Sequence, residues 1–320
     1  MTIEVIEAGL HSTIQDAGRS GYQSYGFSLS GPMDEYAAQL ANILVGNPMK
    51  QELLELSFIG PTLQFHHPAI IAITGADMSA NLNQQPIQLG RPIQIMAGDT
   101  LQLRTAKVGT YSYIAVKNGF EIPTVLGSKS MVVRTNITGL LGSPLAVGDM
   151  IPCLPQDKGK CPFHWGIDSS FFSYITNQPQ VIRYLEGAQT DWFPPSALEN
   201  KPWKISTTSN RMGYRLQGEA IAANEQKQLA TEATSFGAIQ IPANGQPIIL
   251  MADGQPTGGY PKIGQVIRTD LATLSQIQPG CPFYFKKVSL AEAIRKWKQR
   301  QYSLGVRQKL IREKWKEEHL

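Results

Sequence analysis

Ile3-Glu4-Val5-Ile6-Glu7-Ala8-Gly9 and Val181-Ile182-Arg183-Tyr184-Leu185-Glu186-Gly187 are one pattern written twice, a short strand-forming run closed by a glycine, at an offset of 178 residues. Other pairs keep nearly that offset. Ser57-Phe58, ahead of a glycine-containing strand, recurs as Ser235-Phe236 at 178, and the turn glycines Gly98 and Gly280 stand 182 apart. Arg19-Ser20-Gly21-Tyr22 recurs as Arg211-Met212-Gly213-Tyr214 at 192. That larger gap requires an insertion before it in the second copy, placed at Trp192 to Lys204, and a compensating deletion after it. Four matches in one order point to a duplicated unit, with the seam near Pro152 to Pro162.

Each copy is β-rich. Gly and Pro punctuate short apolar runs such as Ala69-Ile70-Ile71-Ala72-Ile73 and Pro247-Ile248-Ile249-Leu250-Met251, which predict strands. Ile93 to Leu103 alternates on both sides of Gly98-Asp99 and predicts a hairpin with one buried face. One internal helix is predicted from Pro32 to Val45, where Tyr36, Ala37, Leu40, Ala41, Leu44 and Val45 form an apolar stripe. Ser30-Gly31-Pro32 suits its start and Gly46-Asn47-Pro48 its stop. The expectation is a mostly β protein of two small barrels with short helices, over residues 1–150 and 164–287. A basic helical tail, 288–320, follows, and Gly305 is expected to break it.

The chain has 320 residues, 42% hydrophobic and 17% charged, which excludes a disordered, coiled-coil or collagen-like polymer. Its net charge of +4 is unevenly placed: from Lys286 onward 11 Lys or Arg face 4 Asp or Glu, leaving 18 against 21 in the body. A slightly acidic body argues against a nucleic-acid-binding face and confines the basic character to the tail. No apolar run is long enough for a membrane span and the N-terminus has no basic, then apolar, leader, so a cytoplasmic protein is expected. Cys153, Cys161 and Cys281 form no CxxC pair, and His66-His67 suit a strand end on the surface, so neither a disulfide framework nor a metal site is expected.

Several stretches carry chemistry, each beside a plainer reading. Gly254-Gln255-Pro256-Thr257-Gly258-Gly259-Tyr260-Pro261 lacks the Lys-Ser/Thr ending of a phosphate-binding loop. Asp253 runs directly into it, and Thr257, Gly258, Gly259 and Tyr260 suit a ligand or partner chain lying against the backbone. Asp77 ends the corresponding strand of the first copy; either Asp also suits an Asx turn. Arg19 and Arg211 can build a carboxylate clamp beside a glycine, with Tyr214 next to the second, or brace equivalent turns. Ser30 and Asp34 open the internal helix, where backbone N–H groups attract an anion, or simply cap it. Gly127-Ser128-Lys129-Ser130 with Arg134 supplies cations and hydroxyls for an anionic substrate, or is a solvated loop.

Thr13-Ile14-Gln15-Asp16, Gly18-Arg19, Gly21-Tyr22, Ser30 to Asp34 and Ala41 to Asn47 together resemble the family that contains the C subunit of 5-oxoprolinase, also described as the KipI antagonist KipA. The carboxyltransferase subdomains A and B of urea carboxylase share this domain type. Glu55 to Phe65, Thr74 to Asp77, Leu126 to Ser130, Ser209 to Arg215 and Asp253 to Pro261 extend the resemblance over about residues 1 to 287, short of the tail. It implies two cyclophilin-like β-barrels. It further implies a subunit that, with A and B subunits, opens 5-oxoproline to L-glutamate using ATP, the nucleotide being bound mainly by another subunit and no biotin being attached to this chain. Alternatives are a regulator that sequesters a KipI-like inhibitor of a sensor histidine kinase, and the carboxyltransferase part of a biotin-dependent enzyme. A homo-oligomer stays open. For a step that phosphorylates the lactam oxygen and then admits water, Arg211 or Lys129 is the candidate anion-binding cation and Asp253 the candidate base. Arg19, Ser30, Asp34, Asp77, Ser130, Tyr214 and Thr257 to Tyr260 are the candidate substrate contacts.

Overall fold

A computed structural model describes residues 1–131, 139–155, 164–224 and 228–317. Its contacts divide the chain into two units. The first comprises Met1–Gly18, Asp34–Thr176 and Gln301–Leu320, the second Arg19–Met33 and Asn177–Arg300. Residues 19–33, which lie within the first span by sequence, thus cluster with the second unit, and the division of the tail falls between Arg300 and Gln301.

The first unit holds two antiparallel sheets. One runs in the order Met150–Pro152, Thr2–Glu7, Thr62–Phe65, Thr100–Gln102, Asn81–Leu82, Gln85–Pro86, the other His11–Gln15, Leu53–Ser57, Val108–Val116, Ala69–Asp77, Pro92–Ile95. Alternation decides what each face buries. Ile14, Leu54, Ile114 and Ile73 are cross-strand neighbours, and all join Val5, Leu63, Phe65 and Leu101 of the other sheet in one core cluster. The preceding or following residues, Thr13, Glu55, Tyr113 and Thr74, form an equally continuous row on the opposite face, buried although polar.

Helix α1, Glu35–Leu44, covers that face: Thr74 Oγ1 donates to the Ala37 carbonyl at 2.8 Å. It begins later than the predicted Pro32 because Asp34 is its cap, with Oδ1 accepting from the Ala37 N–H at 3.0 Å. It stops before Gly46, whose φ is +79° and whose added Cβ would sit 3.2 Å from Trp315 Nε1. Glycine is needed there twice over, for the left-handed turn and for the close approach of the indole.

The repeated glycines that end the two copies of the opening motif are matched in structure. A Cβ on Gly9 would lie 2.4 Å from the Ile59 carbonyl oxygen, and one on Gly187 would lie 2.3 Å from that of Lys262. The predicted hairpin over Ile93 to Leu103 is corrected: Pro92–Ile95 pairs with Ala69–Asp77, whereas Thr100–Gln102 pairs with Thr62–Phe65 and Asn81–Leu82. Its two arms turn at Gly98 and enter different sheets.

The second unit is a closed seven-stranded barrel in the order Gln180–Glu186, Lys262–Val266, Ala238–Gln240, Ile248–Leu250, Gly213–Gln217, Trp203–Ile205, Pro282–Lys287. Parallel pairing of Pro282–Lys287 with Gln180–Glu186 closes the ring, so no edge is left unpaired. Ile182, Trp203, Ile239, Ile249 and Phe283 are fully buried. Helix α2, Arg268–Gln276, is tied back by Asp270, which receives Arg183 Nε at 2.7 Å and its terminal nitrogen at 2.5 Å.

Helix α3, Leu290–Glu317, is unbroken, against the expectation of a break at Gly305. Glycine costs about 1 kcal/mol in a helix interior. Burial of Leu304, Ile311 and Trp315 in the first unit outweighs it. Trp315 donates to the Leu44 carbonyl at 3.1 Å, stacks edge-on against Trp165 at 5.9 Å and carries Lys117 Nζ 3.9 Å over its ring.

Candidate functional site

The candidate residues fall into two groups, one in each unit. In the second unit Arg211 precedes the strand Gly213–Gln217, and Asp253 follows the neighbouring strand Ile248–Leu250. Pairing of those strands places the two side chains together. Arg211 Nε donates to Asp253 Oδ2 at 2.7 Å, and its terminal nitrogen reaches Oδ1 at 3.2 Å and the Gly31 carbonyl at 2.8 Å. The Asp253 side chain is 1% exposed and that of Arg211 7%. The loop around Ser30 is held by the same construction: Ser28 Oγ donates to the Asp253 carbonyl and the Ser30 N–H to that of Ala252, each at 3.0 Å. Ser30 adopts φ +58° there, and Arg19, itself buried, donates its N–H to the Leu29 carbonyl at 2.6 Å. A bidentate, desolvated pair of this kind fixes the geometry of a loop. Tyr214 is buried and bonds the Ser275 carbonyl at 3.2 Å.

The segment after Asp253 emerges from this support. Thr257–Gly258 pairs with Glu232–Ala233, leaving Thr257, Gly259 and Tyr260 exposed. Gly258 has a reason inside the chain, since a Cβ there would meet Gln240 Nε2 at 2.8 Å. That amide nitrogen is buried with no hydrogen-bond partner among the described residues. An unpaired buried donor costs about 1–3 kcal/mol, and here it stands beside the exposed turn. Gln240 is not among the candidates named from the sequence; its trace there is one amide inside the apolar run Ala238-Ile239-Gln240-Ile241. Glu232 is bridged by Lys262 and accepts from Gln189 Nε2 at 3.0 Å, and the Lys262 bond, foremost, holds its carboxyl below the usual range.

In the first unit Asp34 is fully buried, and its cap joins a polar chain across the sheet. Tyr174 Oη donates to Asp34 Oδ2 at 2.5 Å, the Asp34 N–H donates to Tyr113 Oη at 2.7 Å, and Tyr113 Oη donates to Glu55 Oε2 at 2.9 Å. Burial, then the Glu55 and Asp34 carboxylates, push the Tyr113 phenol well above its ordinary range. On the loop 125–130, the Ser128 and Ser130 hydroxyls donate to Asp16 Oδ1 at 2.6 and 2.7 Å, and the Lys129 N–H donates to Oδ2 at 2.6 Å. Lys129 Nζ turns to Glu52 Oε1 at 2.9 Å and the Phe120 carbonyl at 2.8 Å. Asp77 is exposed and closes an Asx turn on the Ser79 N–H at 2.8 Å. Arg134 and Cys161 lie outside the described residues. Asp16, Glu52, Glu55 and Tyr113 organise these clusters, and none of them stands out as a site residue in the sequence.

The family model of the carboxyltransferase domain, subdomain A and B, matches residues 25–287. The chain belongs to the carboxyltransferase A and B family. Within that family it is 36% identical over 293 residues to the C subunit of 5-oxoprolinase from Escherichia coli, covering 92% of this chain and 93% of that one. It is 34% identical over 320 residues to the C subunit of 5-oxoprolinase from Haemophilus influenzae, covering 98% and 99%. The family model ends at residue 287, where the sequence reading placed the end of the resemblance, whereas the alignment to the Haemophilus influenzae subunit, at 98% of this chain, runs on into α3. The crystal structure of Kluyveromyces lactis urea carboxylase superposes with a TM-score of 0.89 at 28% identity, over 96% of this chain and 29% of that chain. This chain thus spans less than a third of that larger protein. Among the described residues, no helix is long and apolar enough to cross a membrane.

Proposed function

We propose that the chain is the C subunit of an ATP-dependent 5-oxoprolinase, working with A and B subunits to open 5-oxoproline to L-glutamate while ATP is hydrolysed to ADP and phosphate. The observation that carries this reading is the end-to-end match to two proteins named as the C subunit of 5-oxoprolinase, covering 93% and 99% of their lengths. A lactam resists water attack near neutral pH, and phosphorylation of its oxygen makes the carbon electrophilic. This chain's part is to orient the ring: the Arg211–Asp253 pair sets the frame, while Thr257, Tyr260 and the Gln240 amide offer neutral hydrogen-bonding groups. ATP is bound mainly by a partner subunit, and no biotin is attached here. The purified chain, mixed with its A and B partners, is expected to restore ATP-dependent glutamate release from 5-oxoproline. Equal release with this chain omitted would sink the proposal.

A second reading, a carboxyltransferase acting with separate biotin-carrying and carboxylating chains, is favoured by the TM-score of 0.89 to urea carboxylase. The two readings separate on avidin, which would block a reaction that needs biotin and leave 5-oxoproline opening untouched.

A further inference from the structure

Helix α3 has two unlike faces. Leu304, Ile311 and Trp315 are buried in the first unit. Roughly half a turn round the helix, at 3.6 residues per turn, Tyr302, Val306 and Leu310 follow one another at four-residue spacing and are 76%, 40% and 60% exposed. Gly305 lies between them, and a Cβ added to it would meet nothing within 4 Å. Nothing among the described residues therefore requires a glycine at a position where it weakens the helix. A glycine flanked by exposed Tyr and Leu suits close approach of another backbone.

The surroundings of this face are basic. Over Leu290–Glu317 the helix carries 9 Lys or Arg against 3 Glu. Glu313 and Glu317 are already bridged to Lys316 and Lys314 at 3.0 and 2.7 Å. Lys309 stands on the face itself, between Val306 and Leu310 in sequence. A second copy docked stripe to stripe would bring two such helices within a Debye length of about 8 Å, so like charge opposes it. In urea carboxylase the matched region is 29% of one long chain, whereas a separate subunit of this family must hold its partners through non-covalent surfaces.

We infer that the Tyr302–Gly305–Val306–Leu310 face of α3 docks an acidic, apolar segment of a partner subunit. This rests on the multi-subunit reading above. The apolar stripe supplies burial, the lysines supply complementarity and on-rate, and Gly305 admits the partner's backbone.

The test uses the full chain and the purified A and B subunits, with dissociation constants from isothermal titration. The double variant Tyr302→Gln/Leu310→Gln keeps good helix formers and is expected to weaken assembly at least about tenfold. Gly305→Gln is expected to raise the melting temperature and still weaken assembly, an outcome that simple helix stabilisation does not produce. Lys309→Glu is expected to weaken assembly and flatten its salt dependence. Dissociation constants within twofold of wild type for both the double variant and Gly305→Gln would overturn the docking inference while leaving the subunit reading in place. A wild-type chain that binds neither partner would overturn both. Concentration-dependent self-association, abolished by the double variant, would assign the face to a second copy and overturn the acidic-partner assignment.

Discussion

Replacing Asp253 by Asn separates a frame from a base. The carboxylate accepts two bonds from Arg211, at 2.7 and 3.2 Å, and its side chain is 1% exposed. Asn removes the charge and turns one of the two acceptors into an NH2 donor facing a guanidinium. Removing one partner of a buried ion pair costs about 3–5 kcal/mol, because the other charge stays buried uncompensated. For a domain of this size that is a fall of roughly 6 to 20 °C in melting temperature, at about 2–4 °C per kcal/mol. The loop 28–31 should loosen with it, since Arg211 also holds the Gly31 carbonyl at 2.8 Å. Thermal unfolding and limited proteolysis at residues 19–33 read the two effects. The control is Arg211→Met/Asp253→Leu, which removes both charges at similar volume and should recover at least half of the lost stability. A soluble Asp253→Asn protein within about 1 kcal/mol of wild type, well short of the cost of a broken buried pair, with glutamate release in the reconstituted system down at least about a hundredfold, would refute the frame and restore Asp253 as a base.

Gln240→Leu removes a buried donor without a partner, so stability should hold or rise by about 1 kcal/mol, while the KM for 5-oxoproline in the reconstituted enzyme rises; an unchanged KM removes Gln240 from the site. Tyr113 ionises in the unfolded chain near pH 10 but resists ionisation when folded, so its contribution is complete below about pH 10 and declines above it by up to about 1.4 kcal/mol per pH unit; Tyr113→Phe should flatten that alkaline decline in urea-unfolding curves. Burial pushes the Cys153 thiol up to about 12, so at pH 8 it should react with a disulfide reagent about a thousandfold more slowly than an ordinary thiol, whereas partly exposed Cys281 should react well before Cys153. Trp315→Ala should cost about 3–5 kcal/mol and destabilise the first unit, so deleting residues 301–320 is expected to impair its folding rather than remove a detachable tail.

Much of the fold is open to reading because it rests on local chemistry. The Gly9 and Gly187 motifs mark real close approaches, and Asp34 with Gly46 brackets α1 as capping rules require. The failures share a cause. Alternation over Ile93 to Leu103 reports that each arm buries a face, yet says nothing about which sheet each arm joins. Gly305 is a breaker by propensity, but helix continuity there is decided by Leu304, Ile311 and Trp315, whose burial no local window contains. Candidate residues are legible where glycine and charge stand out. Their partners are not, because Asp16 meets Ser128 across 112 residues and Glu52 meets Lys129 across 77.

Those distant partners change what the charged candidates can do. Arg211 has Asp253, Lys129 has Glu52 and Lys262 has Glu232, each within a single unit. A cation already bound to a carboxylate offers a phosphoryl group little net positive field, and drawing it away would leave the carboxylate desolvated and unpaired. At the 257–260 turn of the second unit, the groups that remain exposed or unsatisfied, Thr257, Tyr260 and the neighbouring Gln240 amide, are neutral. Neutral donors suit recognition of a lactam, whose amide is itself uncharged, better than they suit three phosphates. Under the proposed function, the positive charge that phosphoryl transfer demands must then come from a partner subunit, and the substrate ring is what this chain is built to hold.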